Sequence, residues 1–135
     1  MAPQPQDKLL ESLKTWQTVG PIHGVYYLPG LDAEPGLDEQ TSASWQRLQE
    51  ERIQPLYHIL REIQSEPFLV CATRLGGLHG YDGSLPPAPS GGAVRGFAKA
   101  IQMERADSFV KVVDFAADES ASMVAARLIE ETLGD

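Results

Sequence analysis

Three short apolar segments, separated by longer amphipathic stretches, constrain the fold of this chain more than any other feature. The segments read IHGVYYL at residues 22–28, FLVCAT at 68–73 and FVKVVDF at 109–115. Short runs rich in β-branched and aromatic residues are typical of strands buried on both faces of a parallel sheet. Strands that alternate with helices favour right-handed crossovers between parallel neighbours. The sequence therefore predicts an α/β fold with the element order α-β-α-β-α-β-α.

The amphipathic stretches predict four helices, each bounded by capping or breaking residues. By residue number they cover 7–19, 41–64, 93–105 and 120–133. Pro55 lies inside the second stretch and is expected to kink or split that helix. Trp16 and Trp45 fall on apolar helix faces, and both are predicted to lie in the core. Residues 1–6 are rich in Pro and Gln and are expected to be frayed.

Length and composition restrict the class of protein. The 135 residues, 42% of them hydrophobic, suit a single globular domain that spans residues 1–135. The formal net charge of -8 disfavours nucleic acid and anionic membranes as partners, because both repel an acidic surface. The single cysteine excludes an internal disulfide and a Cys-based zinc site.

The same sequence also bears on location. No apolar run approaches the roughly 20 residues that span a bilayer. The first residues, MAPQPQDK, lack the basic and apolar regions of a secretory signal. The cytoplasm is therefore the expected location.

A glycine-rich stretch follows the second predicted strand. Gly76, Gly77, Gly80 and Gly83 lie within residues 74–92, which read RLGGLHGYDGSLPPAPSGG. A nucleotide-binding turn needs G-x-G-x-x-G, or a P-loop in which Lys is followed by Ser or Thr, and neither spacing is present. A plain flexible loop is therefore predicted here, although loops of this length in compact domains are usually functional or remnants of a functional element.

Acidic residues follow the first predicted strand. Asp32, Glu34, Asp38 and Glu39 lie beyond its carboxyl end, which is where open α/β sheets bind ligands. A metal or general-base role would use these carboxylates. The favoured interpretation is a solvated loop, because no residues in the sequence are patterned to orient metal ligands around them.

Two other residue types are candidates for chemistry. Cys71 lies in the middle of a predicted strand and is expected to behave as a small buried hydrophobe rather than as a nucleophile. His23, His58 and His79 lie on separate elements without metal-ligand spacing. Of these, His79 in the glycine-rich stretch is kept as a candidate functional residue.

Three longer segments together resemble a known family. They read VYYLPGLDAE, FLVCATRLGGLHG, and SGGAVRGFAKAIQMER followed by VKVVDF. Their order and spacing are similar to the second half of a short-chain dehydrogenase fold, and most of all to the ketoreductase region of modular type I polyketide synthases and related fatty-acid synthases. The resemblance covers roughly residues 20–135. It implies a truncated Rossmann-like parallel sheet with flanking helices.

Ketoreductases of this family have a catalytic subdomain, with NADPH and a Ser, Tyr and Lys set, and a structural subdomain without chemistry. Matched to that pattern, the Ser, Tyr and Lys positions fall on Arg74, Ala88 and Gly92. Neither Ala88 nor Gly92 can protonate a ketone or lower the pKa of a neighbouring group, and Arg74 stands where the family has its serine. The dinucleotide fingerprint is also absent from the chain. The resemblance therefore implies a structural subdomain with no catalytic, cofactor-binding or metal residues of its own, in a parent that uses NADPH.

The resemblance also implies partners. These are the catalytic ketoreductase subdomain, the other synthase domains and the acyl carrier protein of the parent, of which the chain is expected to be a piece. Two alternatives remain open: half of an active short-chain oxidoreductase completed by other chain segments, and a carrier-protein binding module that uses residues 74–92. In the family's sheet, residues 22–28 would form an unpaired edge strand without Lys or Pro, so self-association through that edge is also expected.

Overall fold

Three parallel strands form one sheet in the order β1-β2-β3. The computed structural model describes residues 5–79, 81 and 88–134. The strands are β1 (Gly24–Tyr27), β2 (Phe68–Thr73) and β3 (Val110–Asp114). β2 is central, so β1 and β3 are the two edges of the sheet. The predicted α/β class with parallel strands and flanking helices is confirmed.

The described part of the chain contains five α-helices. They are α1 (Pro5–Val19), α2 (Ser42–Leu48), α3 (Gln54–Glu62), α4 (Gly91–Glu104) and α5 (Ala121–Leu133). Two 3-10 turns, Pro29–Leu31 and Leu37–Glu39, lie between β1 and α2. None of the described helices is both long and apolar enough to cross a membrane.

The long helix predicted over residues 41–64 is split, as Pro55 led us to expect. A π-helical turn, Gln49–Ile53, separates α2 from α3, and Pro55 lies in the first turn of α3. Proline is tolerated there because the first turn of a helix has no acceptor for its N–H. The start of α2 is fixed by a capping box, in which Thr41 and Ser44 each accept a backbone N–H of the other.

The core lies on both faces of the sheet. α3 and α4 cover one face, where they pack on Leu69 and Cys71 of β2. α5 covers the other face, where it packs on Val70 and Ala72 of β2 and on Phe115. A central strand covered on both sides explains why 68–73 reads as an unbroken apolar run.

Several expectations need correction. β1 and β3 are shorter than the predicted segments 22–28 and 109–115, because their residues pair in register with β2 only over 24–27 and 110–114. Of the frayed segment expected at 1–6, residues 5 and 6 belong to α1. Residues 1–4 lie outside the described part of the chain.

The two tryptophans are not core residues. Trp16 is 58% exposed and Trp45 is 38% exposed. α1 packs on α3 rather than on the sheet, and Leu13 is its buried residue. Helical spacing identifies an apolar face, but a peripheral helix buries only the part of that face that a neighbour covers.

Candidate functional site

Polar side chains meet at the carboxyl edge of the sheet, where ligands bind in open α/β proteins. Parallel pairing places the ends of all three strands at this edge. The side chains come from the strand ends and from the segments around them: Glu34, Arg52, Thr73, Arg74, Ser90 and Asp114. They form two hydrogen-bond networks and one arginine anchor.

The first network surrounds Asp114, the last residue of β3, which is 2% exposed. Thr73 Oγ1 and the Leu75 N–H donate to Oδ1, both at 2.6 Å. The N–H groups of Gly77 and His79 donate to Oδ2 at 2.7 and 2.8 Å. Both carboxylate oxygens are therefore fully used by charge-assisted bonds from the same chain.

Backbone conformation explains why the N–H groups of this loop converge. Gly76 and Gly77 have φ values of 106° and 91°, and His79 has a φ of 53°. Successive residues of this kind turn their N–H groups into a concave nest, a geometry that binds anions. The predicted plain flexible loop is thus wrong for Gly76 and Gly77. Gly80 and Gly83 lie outside the described residues.

The second network centres on Glu34, whose side chain is fully buried. Arg52 Nη1 donates to Glu34 Oε2 at 2.8 Å, and Ser90 donates from its N–H to Oε1 and from its hydroxyl to Oε2 at 2.6 and 2.7 Å. The Arg52 guanidinium also donates to the carbonyl oxygens of Asp32 and Ala33. The carboxylate and its counter-ion are therefore satisfied together.

Two glycines let these segments approach the strand ends. A Cβ on Gly30 would lie 2.6 Å from the carbonyl oxygen of Ala72, and one on Gly91 would lie 3.1 Å from Thr73 Cβ. The turn after β1 and the start of α4 therefore pack directly on the end of β2. This close approach brings Glu34 and Ser90 within hydrogen-bond distance.

Arg74 links the loops that follow β1 and β3. Its guanidinium donates to four carbonyl oxygens, which belong to Leu31, Ala116, Ala117 and Glu119, at 2.7–3.3 Å. One side chain thus ties the segment after β1 to the segment after β3. The guanidinium offers only hydrogen-bond donors and no acceptor, so Arg74 does not suit the role of a general base.

The other two positions matched to the family's catalytic set carry no reactive group. Ala88 is fully buried, and Gly92 lies exposed in the first turn of α4, where an added Cβ would face open space. Burial raises the pKa of the Cys71 thiol to about 12, which keeps it protonated. The prediction that Cys71 is a small buried hydrophobe is confirmed.

The remaining candidates are scattered. Asp32, Asp38 and Glu39 are exposed, so the solvated-loop interpretation is wrong only for Glu34. Nδ1 of His79 is buried and has no partner among the described residues. The part of the chain that the structure describes contains no group of three or more His, Cys, Asp or Glu side chains that could hold a metal ion.

Sequence reasoning missed Arg52, Ser90 and Asp114. Asp114 did carry a signal, because a single carboxylate at the end of the apolar run FVKVVDF must find donors if the strand is buried. Arg52 and Ser90 carried none, since they lie 18 and 56 residues from Glu34.

No protein-family model, no curated protein and no solved structure matches the chain. The carboxyl edge is therefore interpreted from the contacts that its residues make within this chain. There, Glu34, Arg52 and Asp114 each bond to groups of the same chain.

Proposed function

We propose that the chain is a non-catalytic structural subdomain of a β-ketoacyl reductase in a polyketide or related fatty-acid synthase. Its role is to brace an NADPH-binding catalytic subdomain, and its sheet is a truncated Rossmann-like sheet. The resemblance of three segments supports the family. The observation that carries the non-catalytic role is the closure of the carboxyl edge by internal bonds to Glu34 and Asp114.

Closure of this edge argues against cofactor binding by the chain itself. A pyrophosphate group needs a set of converging N–H donors. The converging N–H groups of Leu75, Gly77 and His79 all donate to Asp114. An incoming phosphate would have to displace that carboxylate and would be repelled by its charge.

Internal bonding also supports a bracing role. Arg74 joins the segments that follow β1 and β3, and the Glu34 network joins the segment after β1 to α4. Buried networks whose members are all satisfied hold one arrangement of their elements. A subdomain that supports another needs a fixed shape more than an open cleft.

The absence of cofactor chemistry is tested by titrating the chain with NADPH and following the fluorescence of the nicotinamide. We expect no saturable signal, with an active NADPH-dependent short-chain dehydrogenase as the positive control. A dissociation constant in the low micromolar range would support the alternative of half an active oxidoreductase.

The bracing role is tested with the catalytic subdomain of the parent ketoreductase. Adding the chain should raise the melting temperature of that subdomain, because a partner that binds only the folded form stabilises it. An α/β domain of similar size and charge serves as the control. Failure to form a complex would overturn the proposal, and saturable binding of acyl carrier protein to the chain alone would favour a carrier-protein module instead.

A further inference from the structure

β3 presents one open side. The Leu69 N–H donates to the Phe109 carbonyl, and the Phe115 N–H donates to the Thr73 carbonyl, so the backbone groups of Phe109 and Phe115 point toward β2. Backbone groups alternate between the two sides of a strand. The N–H and C=O groups of Val110 and Val112 therefore point away from the sheet, where the described residues place no further strand.

A groove runs between this open side and α4. It has a volume of about 250 Å³, and its lining includes Arg95, Lys99 and Gln102 of α4, with Val110 and Val112 of β3. Its described lining contains no carboxylate. The groove thus combines cations on the helix with an apolar floor and open backbone groups on the strand.

The opposite face of the same edge carries two cations together with the carboxylates of Asp114 and Glu131. Lys111 and Arg127 line a second cavity, of about 230 Å³. Both are already engaged, Lys111 by an ion pair with Glu131, and Arg127 by an ion pair with Glu119 and by stacking over a phenylalanine ring. On the α4 side, Arg95 stacks over the Tyr81 ring, but neither Arg95 nor Lys99 forms an ion pair with a described residue, so these cations are open to an added carboxylate.

Cations are frequent at this edge, although Glu131 and Glu119 already pair with two of them. The chain has a net charge of -8, yet four of its 11 Lys and Arg residues flank β3. Lys on an edge strand discourages pairing with like strands. Arg95 and Lys99, however, belong to a neighbouring helix, where they extend the positive surface over the place a fourth strand would occupy.

We propose that the β3 edge binds an extended acidic segment of a partner protein, which adds to the sheet as a fourth strand. Residues 95 and 99 are one helical turn apart, an axial rise of about 6 Å. Alternate residues of a strand are separated by about 6.7 Å. Carboxylates at every second position of the added strand would therefore meet Arg95 and Lys99, while Val110 and Val112 supply backbone bonds. This proposal goes beyond the bracing role, because peptide binding to the β3 edge needs no catalytic subdomain and can be measured on the chain alone.

The test uses a short fluorescein-labelled peptide that alternates Glu and Thr, with binding followed by fluorescence anisotropy at low ionic strength. We expect saturable binding that weakens as salt is added. The same peptide with Lys in place of Glu should not bind. A peptide N-methylated on the amides that would face β3 should also not bind, because strand addition needs those donors.

Charge reversal on the protein provides the second arm. The double variant Arg95→Glu, Lys99→Glu should weaken peptide binding by at least about tenfold. Lys8→Glu, Lys14→Glu makes the same change in net charge on exposed positions of α1 and should leave binding unchanged.

Three results would overturn the proposal: no binding of the Glu peptide, equal binding of the N-methylated peptide, or equal weakening by both double variants. Any of these results would leave the cations with one role, which is to keep the β3 edge from pairing with other strands. The N-methylated peptide leaves the protein untouched, so its result stands even where a variant unfolds.

Discussion

The two edges of the sheet differ in charge and in what surrounds them. β1 contains no charged residue; Tyr26 within it is 42% exposed, and Leu28 directly after it is 44% exposed. β3 contains Lys111 and Asp114, and the groove that it forms with α4 is lined by Arg95 and Lys99 without a described carboxylate. The same three-stranded sheet therefore offers one apolar edge and one positive edge.

This difference implies different occupants. Two copies of β3 brought side by side would place cations against cations, which disfavours pairing. Two copies of β1 meet no such repulsion, so the expected self-association of the chain falls on β1. The β3 edge instead suits a segment of opposite charge.

The largest expected effect comes from removing the carboxylate that holds the loop at the end of β3. Asp114→Ala should lower the free energy of unfolding by about 3–5 kcal/mol, because three N–H groups and a hydroxyl lose their buried acceptor. Chemical denaturation measures it. Asp107→Ala, at an exposed position, is the control and should change stability by less than about 0.5 kcal/mol. Equal effects of the two variants would contradict the importance of this network.

The corresponding anchor on the β1 side should be weaker. Glu34→Ala removes an acceptor from Ser90 and a counter-ion from Arg52, but Arg52 keeps two carbonyl partners. We expect a loss of about 2–3 kcal/mol in the free energy of unfolding. Denaturation of both variants under one set of conditions gives the comparison. A larger loss for Glu34→Ala than for Asp114→Ala would reverse the ranking of the two sides.

Self-association tests the apolar edge directly. Tyr26→Lys places a charge on β1 and should weaken dimerisation by about tenfold, as measured by sedimentation equilibrium. Tyr57→Lys is the matched control, since Tyr57 is similarly exposed and also packs edge-on against an aromatic ring. If both variants weaken dimerisation equally, the surface through which the chain self-associates is not the β1 edge.

The smallest effect belongs to the ion pair at the positive edge. Lys111 lowers the pKa of Glu131 through a hydrogen bond and through its charge. Lys111→Gln should raise that pKa toward its ordinary value while leaving thermal stability nearly unchanged, because the pair is exposed. A carboxyl-carbon NMR titration measures the pKa. If the pKa of Glu131 is the same in the variant, the ion pair between Lys111 and Glu131 does not form in solution.

The elements of the fold were predictable because each depends on local sequence. The run 68–73 predicts β2 residue for residue, and Pro55 predicts the break between α2 and α3. Trp16 was misplaced because periodicity does not tell how much of a helix a neighbour covers. The edge strands were hard to identify for a similar reason, since a short apolar run predicts a strand but not its place in the sheet.

The carboxyl edge was much harder to predict. Glu34, Arg52 and Ser90 meet only after the crossover between β1 and β2 and the turn onto α4 have formed. In sequence, Glu34 is one acid among several in a loop, and nothing local distinguishes it from Asp38 or Glu39. The nest around Asp114 likewise depends on backbone conformations at Gly76 and Gly77 that many glycine-rich loops do not adopt.

Cys71 provides a chemical probe of how the core around the central strand opens. It is the single cysteine of the chain, lies fully buried in β2, and has a thiol whose pKa is raised to about 12 by burial. A thiol reagent can reach it only when α3 and α4 separate from β2, because the Cys71 side chain packs on that face of the sheet. Fraying of β1 or β3 alone would leave it protected, so the labelling rate of Cys71 reports opening of the core between the sheet and the α3–α4 layer and distinguishes it from loosening at either edge.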